Sequence, residues 1–414
     1  MIYPTKKIKD IGTVVTGKTP LTARADYYDG QYMFVTPTEL HGSYKVTTSE
    51  KTITEAGLNS IKSNSISGES ILVGCIGWDM GNVAMCFEKC ATNQQINSIT
   101  KIKKECIPAY LYYWLKTKKD YLFSIASVTR TPILSKGVFE DIDVPLPDVE
   151  TQRNVANVLQ KLDEKIELNE RINDNLWQSI STIYDYWFTQ FDFPDANGKP
   201  YHTTGGNLVW NDKIKRAIPR GWTVASIINN PLTEVIKPGV DVFTTKEYLA
   251  TADVTGTSIA SGSIIDYENR EGRANMQPVV NSVWFAKMKN SIKHLFLNKE
   301  MTPIIDSTIL STGFCGLQCS EKSFEYVASF VSNPRFEIIK DILAHGATQE
   351  AVNNDDMESI SFVIPSDEIL EQYHAATKGM FAQISKNICE NRELIKVRDW
   401  LLPMLMNGQA TIAD

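Results

Sequence analysis

Residues 148–187, DVETQRNVANVLQKLDEKIELNERINDNLWQSISTIYDYW, place apolar or amide side chains at alternating steps of three and four: Leu159, Leu162, Ile166, Asn169, Asn173, Leu176, Ile180, Ile183 and Trp187. That spacing is an a/d seam. Asp148, after Pro147, offers an N-cap oxygen, and no Gly or Pro interrupts before Pro194. One long helix with a coiled-coil face is expected, on the order of 60 Å at about 1.5 Å per residue. A compact domain does not need such a length for its own core.

The helix occurs twice. Adding 218 to each seam position gives Thr377, Met380, Ile384, Asn387, Asn391, Leu394, Arg398, Leu401 and Leu405, and carries Asp148 to Ser366, Pro147 to Pro365 and Ile142 to Ile360. A repeat of this length means two duplicated domains rather than a solenoid. Asn at a seam position costs stability but fixes register, because each amide is satisfied only opposite another polar group. The two helices are therefore expected to pack antiparallel, with Asn169 and Asn173 meeting Asn387 and Asn391 near the middle.

A chain of 414 residues can bury two cores. The expected fold class is α+β: two duplicated domains separated by two long antiparallel helices that form a coiled-coil spacer. The divisions are 1–147, the first helix 148–193, a linker and second domain 194–365, and the second helix with its tail 366–414. No apolar run reaches membrane-spanning length and the N-terminus lacks an apolar core, so a soluble, cytoplasmic protein is expected. The seven cysteines are odd in number and lack metal-site spacing, which suggests buried, reduced thiols.

The net charge of −7 is unevenly spread. Residues 1–147 hold 17 Lys+Arg against 14 Asp+Glu, whereas 148–195 hold 4 against 10, so the acidity concentrates on the first long helix. Its outward carboxylates, including Glu164, Glu167 and Glu170, suit water or a partner protein better than phosphate. Basic clusters lie elsewhere: Lys101, Lys103 and Lys104; Lys116, Lys118 and Lys119; Lys213, Lys215 and Arg216; Lys287, Lys289 and Lys293.

Each domain alternates short β-rich runs with Gly and Pro. The first contains YMFVTP, SILVGCIGW, NVAMCFE, INSITKI and IDVPLP, broken by a helix-like stretch from Pro108 to Ser124 with aromatics on one face and lysines on the other. Residues 194–221 look like an extended connection. The second domain runs through YLATADV, SVWFAKM, IKHLFLN and STILSTGF to a helix-like SFEYVASFVSN and SISFVIPS. Under the same shift, the loop Val128-Thr129-Arg130-Thr131 falls on Gly346-Ala347-Thr348-Gln349.

Two pattern matches to chemistry fail on context. Gly12 to Thr19 satisfies G-x-x-x-x-G-K-S/T, but no buried strand precedes it and Pro20 follows at once, so a β-turn is expected rather than a phosphate loop. Asp148 with Asp163-Glu164-Lys165 imitates a nuclease metal site, yet along one helix the two aspartates lie some 22 Å apart at about 1.5 Å per residue. Gly74 to Gly81 fits a tight turn between strands better than a dinucleotide loop. No esterase elbow, zinc-protease helix or amino-methyltransferase motif is present. The chain is expected to be non-catalytic and to hold no metal.

Several segments carry a family likeness: V-P-L-P-D-V-E-T-Q-R-N-V-A-N-V-L-Q-K-L-D-E-K-I-E-L-N-E-R-I-N-D-N-L from Val144, W-F-T-Q-F-D-F-P from Trp187, G-K-P-Y-H-T-T-G-G from Gly198, I-P-R-G-W from Ile218 and R-D-W-L-L-P-M-L-M-N-G from Arg398. In order along the whole chain, they resemble the specificity subunit of type I restriction-modification enzymes. The resemblance implies two target-recognition domains, each reading one half of a bipartite double-stranded DNA sequence, with the helices setting the gap. It implies docking of two methyltransferase subunits and association with restriction and translocation subunits. It also implies that S-adenosylmethionine, ATP and magnesium are used through those other subunits and none by this chain. Adenine methylation by the partner needs a flipped base, so the readers are expected to help distort the duplex.

Base readout would come from cationic, amide and aromatic side chains on loops entering the major groove. The candidates are Lys18, Trp78, Arg130, Arg270, Arg273 and Gln349. A strut of about 60 Å spans less than two turns of B-DNA at about 34 Å per turn. A competing reading is a coiled-coil protein-binding scaffold without DNA specificity; steep salt dependence of duplex binding separates the two.

Overall fold

The computed structural model describes residues 3–42, 44–128 and 130–412, with Val128 described by its backbone alone. Thr129, in the first of the two polar loops compared above, lies outside the described residues. The fold is α+β, and the chain forms two compact units, residues 1–167 with 394–414 and residues 168–393.

In the first unit, an antiparallel sheet runs in the order Thr13–Thr16, Ile96–Thr100, Ser70–Gly74, Val83–Cys86. A second sheet has the order Lys51–Ile53, Tyr28–Val35, Cys90–Thr92, Ser65–Ile66, with its central pair parallel. Thr5–Lys7 pairs with Asp143–Pro145. The stretch from Pro108 is two helices, Pro108–Lys116 and Lys119–Ser124, rather than one. Ala109 to Leu115 are buried on every side of the first. The expected division into an aromatic face and a lysine face fails because the helix packs on strands Ser70–Gly74 and Val83–Cys86 on one side and, through Tyr112 and Tyr113, on Tyr44 and the long-helix residue Asp163 on the other.

The second unit repeats the plan. Thr233–Val235, Phe314–Cys319, Ser282–Ala286 and His294–Leu297 form one sheet in the same order. Ser263–Ile265, Lys246–Leu249, Thr308–Ser311 and Ala274–Met276 form the other, again with a parallel central pair. Thr223–Ser226 pairs with Ser361–Ile364. Equivalent tyrosines lock equivalent strands: the Tyr110 hydroxyl donates to the Pro145 carbonyl and that of Tyr326 to the Val363 carbonyl. Duplication thus extends through strand order, where sequence similarity had faded.

Residues 194–221 are folded rather than merely extended. Leu208–Asn211 and Arg216–Pro219 form a hairpin, Asp192 accepts from the Thr203 amide and hydroxyl, and Phe193 stacks on Tyr201 and Trp222 at 4.6 and 5.0 Å.

The first long helix covers Val149–Tyr184 and is capped by Asp148, whose carboxylate accepts from the Thr151 amide at 2.9 Å and hydroxyl at 2.8 Å. A π-helical turn, Asp185–Thr189, follows it. The second covers Asp367–Met406. Pairing is antiparallel: in the second unit Asn169 donates to Asn391 and Asn387 to Asn173, both at 2.8 Å. Ile180, Phe381 and Ile384 are buried on one side of this layer and Ile166 on the other, while Leu162, Leu176 and Leu394 sit half-buried at the seam edge. In the first unit Leu159 is fully buried, and the seam instead contains Asp163, whose two oxygens accept from Arg398 at 2.7 Å and Tyr113 at 2.6 Å. Glu164 is exposed, but Glu167 forms an ion pair with Lys45 at 3.1 Å rather than facing water alone.

Candidate nucleic-acid interface

Strand direction decides which loops can act together. In the first unit, the chain leaves Thr16, Val35 and Gly74 and enters Ile96 at the same end of the two sheets, and backbone hydrogen bonds stitch the intervening loops into one surface. Lys18 N–H donates to Thr92, Asn93 N–H to Val35, Cys75 N–H to Gln95 and Gly77 N–H to Pro132. This brings Lys18, Trp78 and the Arg130 loop to one edge. Lys18 and Arg130 are exposed, and Trp78 is 71% exposed with its ring 6.1 Å from that of Phe123. Beneath them is an open cleft lined by Thr36, His41, Trp78, Asn93 and Gln95.

Gly12 to Thr19 holds strand Thr13–Thr16, not a β-turn. Gly17 is glycine for packing, since a Cβ there would lie 2.1 Å from the Asn93 carbonyl oxygen. No helix follows that could cradle phosphate. Asp163 is spent on Arg398 and Tyr113, and Asp148 on its helix cap, which removes the nuclease-like constellation. Among the described residues, no cluster of three or more His, Cys, Asp or Glu could hold a metal, and no helix is long and apolar enough to cross a membrane.

The Trp78 loop is clamped from below. Lys119 donates to Asp79 at 2.5 Å and Asn82 at 2.9 Å, and His41 lies 3.3 Å from Asp79. The Lys119 ammonium holds the Asp79 carboxyl below its ordinary range. Gly81, at φ +92°, lets the backbone close against Lys119, where a Cβ would meet the lysine Cγ at 2.9 Å.

The second unit forms the corresponding end from residues 250–253, 287–293, 312–313 and 345–352. Thr312 N–H donates to Arg273, Lys287 N–H to Gly313, Lys289 N–H to Glu350 and Val352 N–H to Lys287. Arg273 and Gln349, both exposed, therefore share this end with the Lys287, Lys289 and Lys293 loop. Arg270 lies on the segment leading to Arg273 and is partly engaged: its guanidinium stacks 4.0 Å from the Tyr267 ring and donates to that residue's carbonyl.

This loop too rests on a lysine, one that sequence reasoning missed. Lys340, fully buried on helix Pro334–Leu343, donates to the Ala286 and Ser291 carbonyls at 3.2 Å each, so it ties together both ends of the loop. Its charge is met by Glu337 at 2.6 Å, whose other oxygen lies 2.8 Å from His294. Burial alone would raise the Glu337 carboxyl, but His294 and Lys340 more than offset it and hold it below its ordinary value. A lysine three residues after a glutamate on a predicted helix resembles an ordinary surface pair, so the sequence carried no signal of burial. His41, Asn93 and Gln95 were missed for a similar reason: strand order, not spacing, collects them.

Residues 3–178 match the family described as the type I restriction modification DNA specificity domain. Over its whole length the chain is 26% identical to the type I restriction enzyme MjaIX specificity subunit of Methanocaldococcus jannaschii, covering 94% of that protein. Over 73% of its length it is 23% identical to the type I restriction enzyme HindI specificity subunit of Haemophilus influenzae, covering 77% of that one. The crystal structure of a type I restriction-modification S subunit from M. genitalium has a similar fold, with a TM-score of 0.53 at 13% identity over 97% of this chain and 96% of that one.

Proposed function

We propose that this chain is a specificity subunit of a type I restriction-modification system and that each of its two units reads one half of a bipartite duplex sequence. The observation that carries this reading is the shared strand order: both units gather equivalent loops at one sheet end, and in both the loops present cations. Cations position the protein on phosphate, and Arg, Gln, Asn and Lys distinguish base edges in the major groove. Lys18, Trp78 and Arg130 would read one half, and Arg273 and Gln349, with Arg270 beside them, the other. The paired helices set the number of base pairs between the halves and offer a docking face to methyltransferase subunits. The chain itself needs no cofactor in this role; methyl transfer, nucleotide hydrolysis and cleavage fall to its partners.

The test is co-expression with the cognate methyltransferase subunit and genome-wide reading of adenine methylation. A two-part motif with a fixed gap is expected. Inserting one heptad after Glu167 and one after Arg392, which lie opposite one another in this register, should change the gap and leave both halves intact. An altered half-site with an unchanged gap refutes the spacer role, and methylation without a two-part motif refutes the division of reading between the units.

A further inference from the structure

The second unit contains a cleft of about 410 Å³ that the DNA-reading role does not use. Its floor is aromatic: Tyr184, Phe188, Tyr326 and Phe330 line it, with the Phe188 and Tyr326 rings 4.5 Å apart. The π-helical turn Asp185–Thr189 forms one wall, and such turns are frequent at functional sites. Three cations, Lys213, Arg216 and Arg335, stand around it against one carboxylate, Asp185, which already accepts from Thr189 at 3.1 Å and Asn333 at 3.4 Å. Arg216 is held over the Phe191 ring at 4.5 Å and donates to the Thr189 carbonyl at 2.6 Å, which fixes the direction of its guanidinium. Burial, and then the nearby Arg335, pull Arg216 below the ordinary guanidinium value, as expected of two cations sharing a site short of anions.

In the second unit the cleft is open, and the elements that wall it carry further exposed apolar side chains: Trp210 on the hairpin, 60% exposed, and Ile338 and Ile342 on helix Pro334–Leu343, 60% and 76% exposed. An apolar margin of this kind marks a protein contact rather than a small ligand.

We propose that the cleft formed by the π-helical turn, the 208–219 hairpin and helix Pro334–Leu343 binds an acidic polypeptide segment of a partner protein that inserts a bulky apolar side chain. Carboxylates of the segment meet Arg216, Arg335 and Lys213, and its apolar side chain rests on Tyr326 and Phe330. The proposal goes beyond DNA reading and stands apart from it.

The experiment titrates the full chain into a fluorescein-labelled peptide, Glu-Asp-Phe-Asp-Leu amide, and into its Gln-Asn-Phe-Asn-Leu analogue, followed by anisotropy at low salt. The acidic peptide should bind saturably, at least tenfold tighter than the neutral one, and lose at least tenfold on Arg335→Glu. Arg335 is exposed, so this variant should keep its unfolding midpoint and its affinity for target DNA. Phe330→Ala should weaken the peptide while leaving the acidic preference intact. Equal affinity for the two peptides, no binding, or an unchanged affinity in Arg335→Glu overturns the proposal. Displacement of the peptide by adenosine monophosphate at lower concentration than by unlabelled peptide also overturns it and makes the cleft a nucleotide site.

Discussion

The two units solve the same packing problem differently. The antiparallel pairing relates residue 163 with 398 to residue 180 with 381, because each pair follows from the other under the 218-residue repeat. In the first unit this place is a buried ion pair, Asp163 with Arg398, steadied by the Tyr113 hydroxyl; in the second it is Ile180 and Phe381, both nearly inaccessible. The reading loops contrast as well. Lys119 holds its loop through side chains and is 44% exposed, whereas Lys340 holds the equivalent loop through backbone carbonyls and is fully buried. Topology has been kept while the chemistry that holds it has been exchanged. The duplicated plan therefore constrains geometry and leaves the means open.

The ion pair gives the sharpest test. Asp163→Ala removes the partner of Arg398 and the acceptor of Tyr113, and should cost about 3–5 kcal/mol in urea unfolding, the range for breaking a buried pair. Transplanting the apolar solution, Asp163→Phe with Arg398→Ile, should recover most of that, leaving about 1–2 kcal/mol for the unsatisfied Tyr113 hydroxyl. A double variant no more stable than Asp163→Ala would mean that the two sites are not interchangeable, and the comparison would fail.

The loop clamps differ by burial, so their loss should differ too. Lys340→Met leaves the Glu337 carboxylate short of a partner and two carbonyls unbonded; about 3 kcal/mol is expected, with faster amide exchange across 287–293. Lys119→Met should cost under about 1 kcal/mol because its pair is in water, with exchange rising only across 75–82. Acid should single out the buried clamp. Glu337 has a folded pKa below its unfolded value, so the stabilisation is present above the ordinary glutamate value of about 4.3 and is lost as pH falls from there through the folded value. Glu337→Gln should flatten that acid limb of a stability–pH curve, and an unchanged limb would contradict the assigned shift.

If each unit reads its own half-site, damage must stay local. Arg273→Ala should cost about 1–3 kcal/mol of affinity and relax one position in one half only. Trp78→Ala should affect the other half. Competition binding with duplexes altered in one half at a time checks this; loss in both halves from either variant would break the two-reader comparison.

Much of this was legible in the sequence where a period carried it. Both long helices, the duplication and the crossed Asn layer follow from a heptad seam read twice, because helix pairing repeats every few residues. Strand order was not legible: sheet neighbours such as Ser70–Gly74 and Ile96–Thr100 are brought together by crossovers that leave no local mark. The hairpin in 194–221 was hidden by a Gly- and Asn-rich composition, although Phe193, Tyr201 and Trp222 stack there. Lys340 and Asp163 were charged letters in helical runs, and only packing shows that both are buried. Reading-loop residues such as Lys18 and Arg273 could be suspected from residue type, while their grouping with His41, Asn93 and Lys287 required the sheets.

The smallest effect concerns the amide layer itself. Asn169 meets Asn391, the repeat of Asn173, and Asn173 meets Asn387, the repeat of Asn169, so the layer is satisfied only in this direction and register. Replacing Asn169 and Asn173 by Leu removes that discrimination while adding apolar seam, and global stability should change by less than about 1 kcal/mol. Order should change more. Spin labels at Thr182 and Lys378, both exposed and level with one another in the same register, should give one narrow distance in the parent chain and a broadened or second distance in the variant. A single unchanged distance, accompanied by a large drop in the unfolding midpoint, would make these amides a source of stability and deny them the specificity that a polar seam layer supplies.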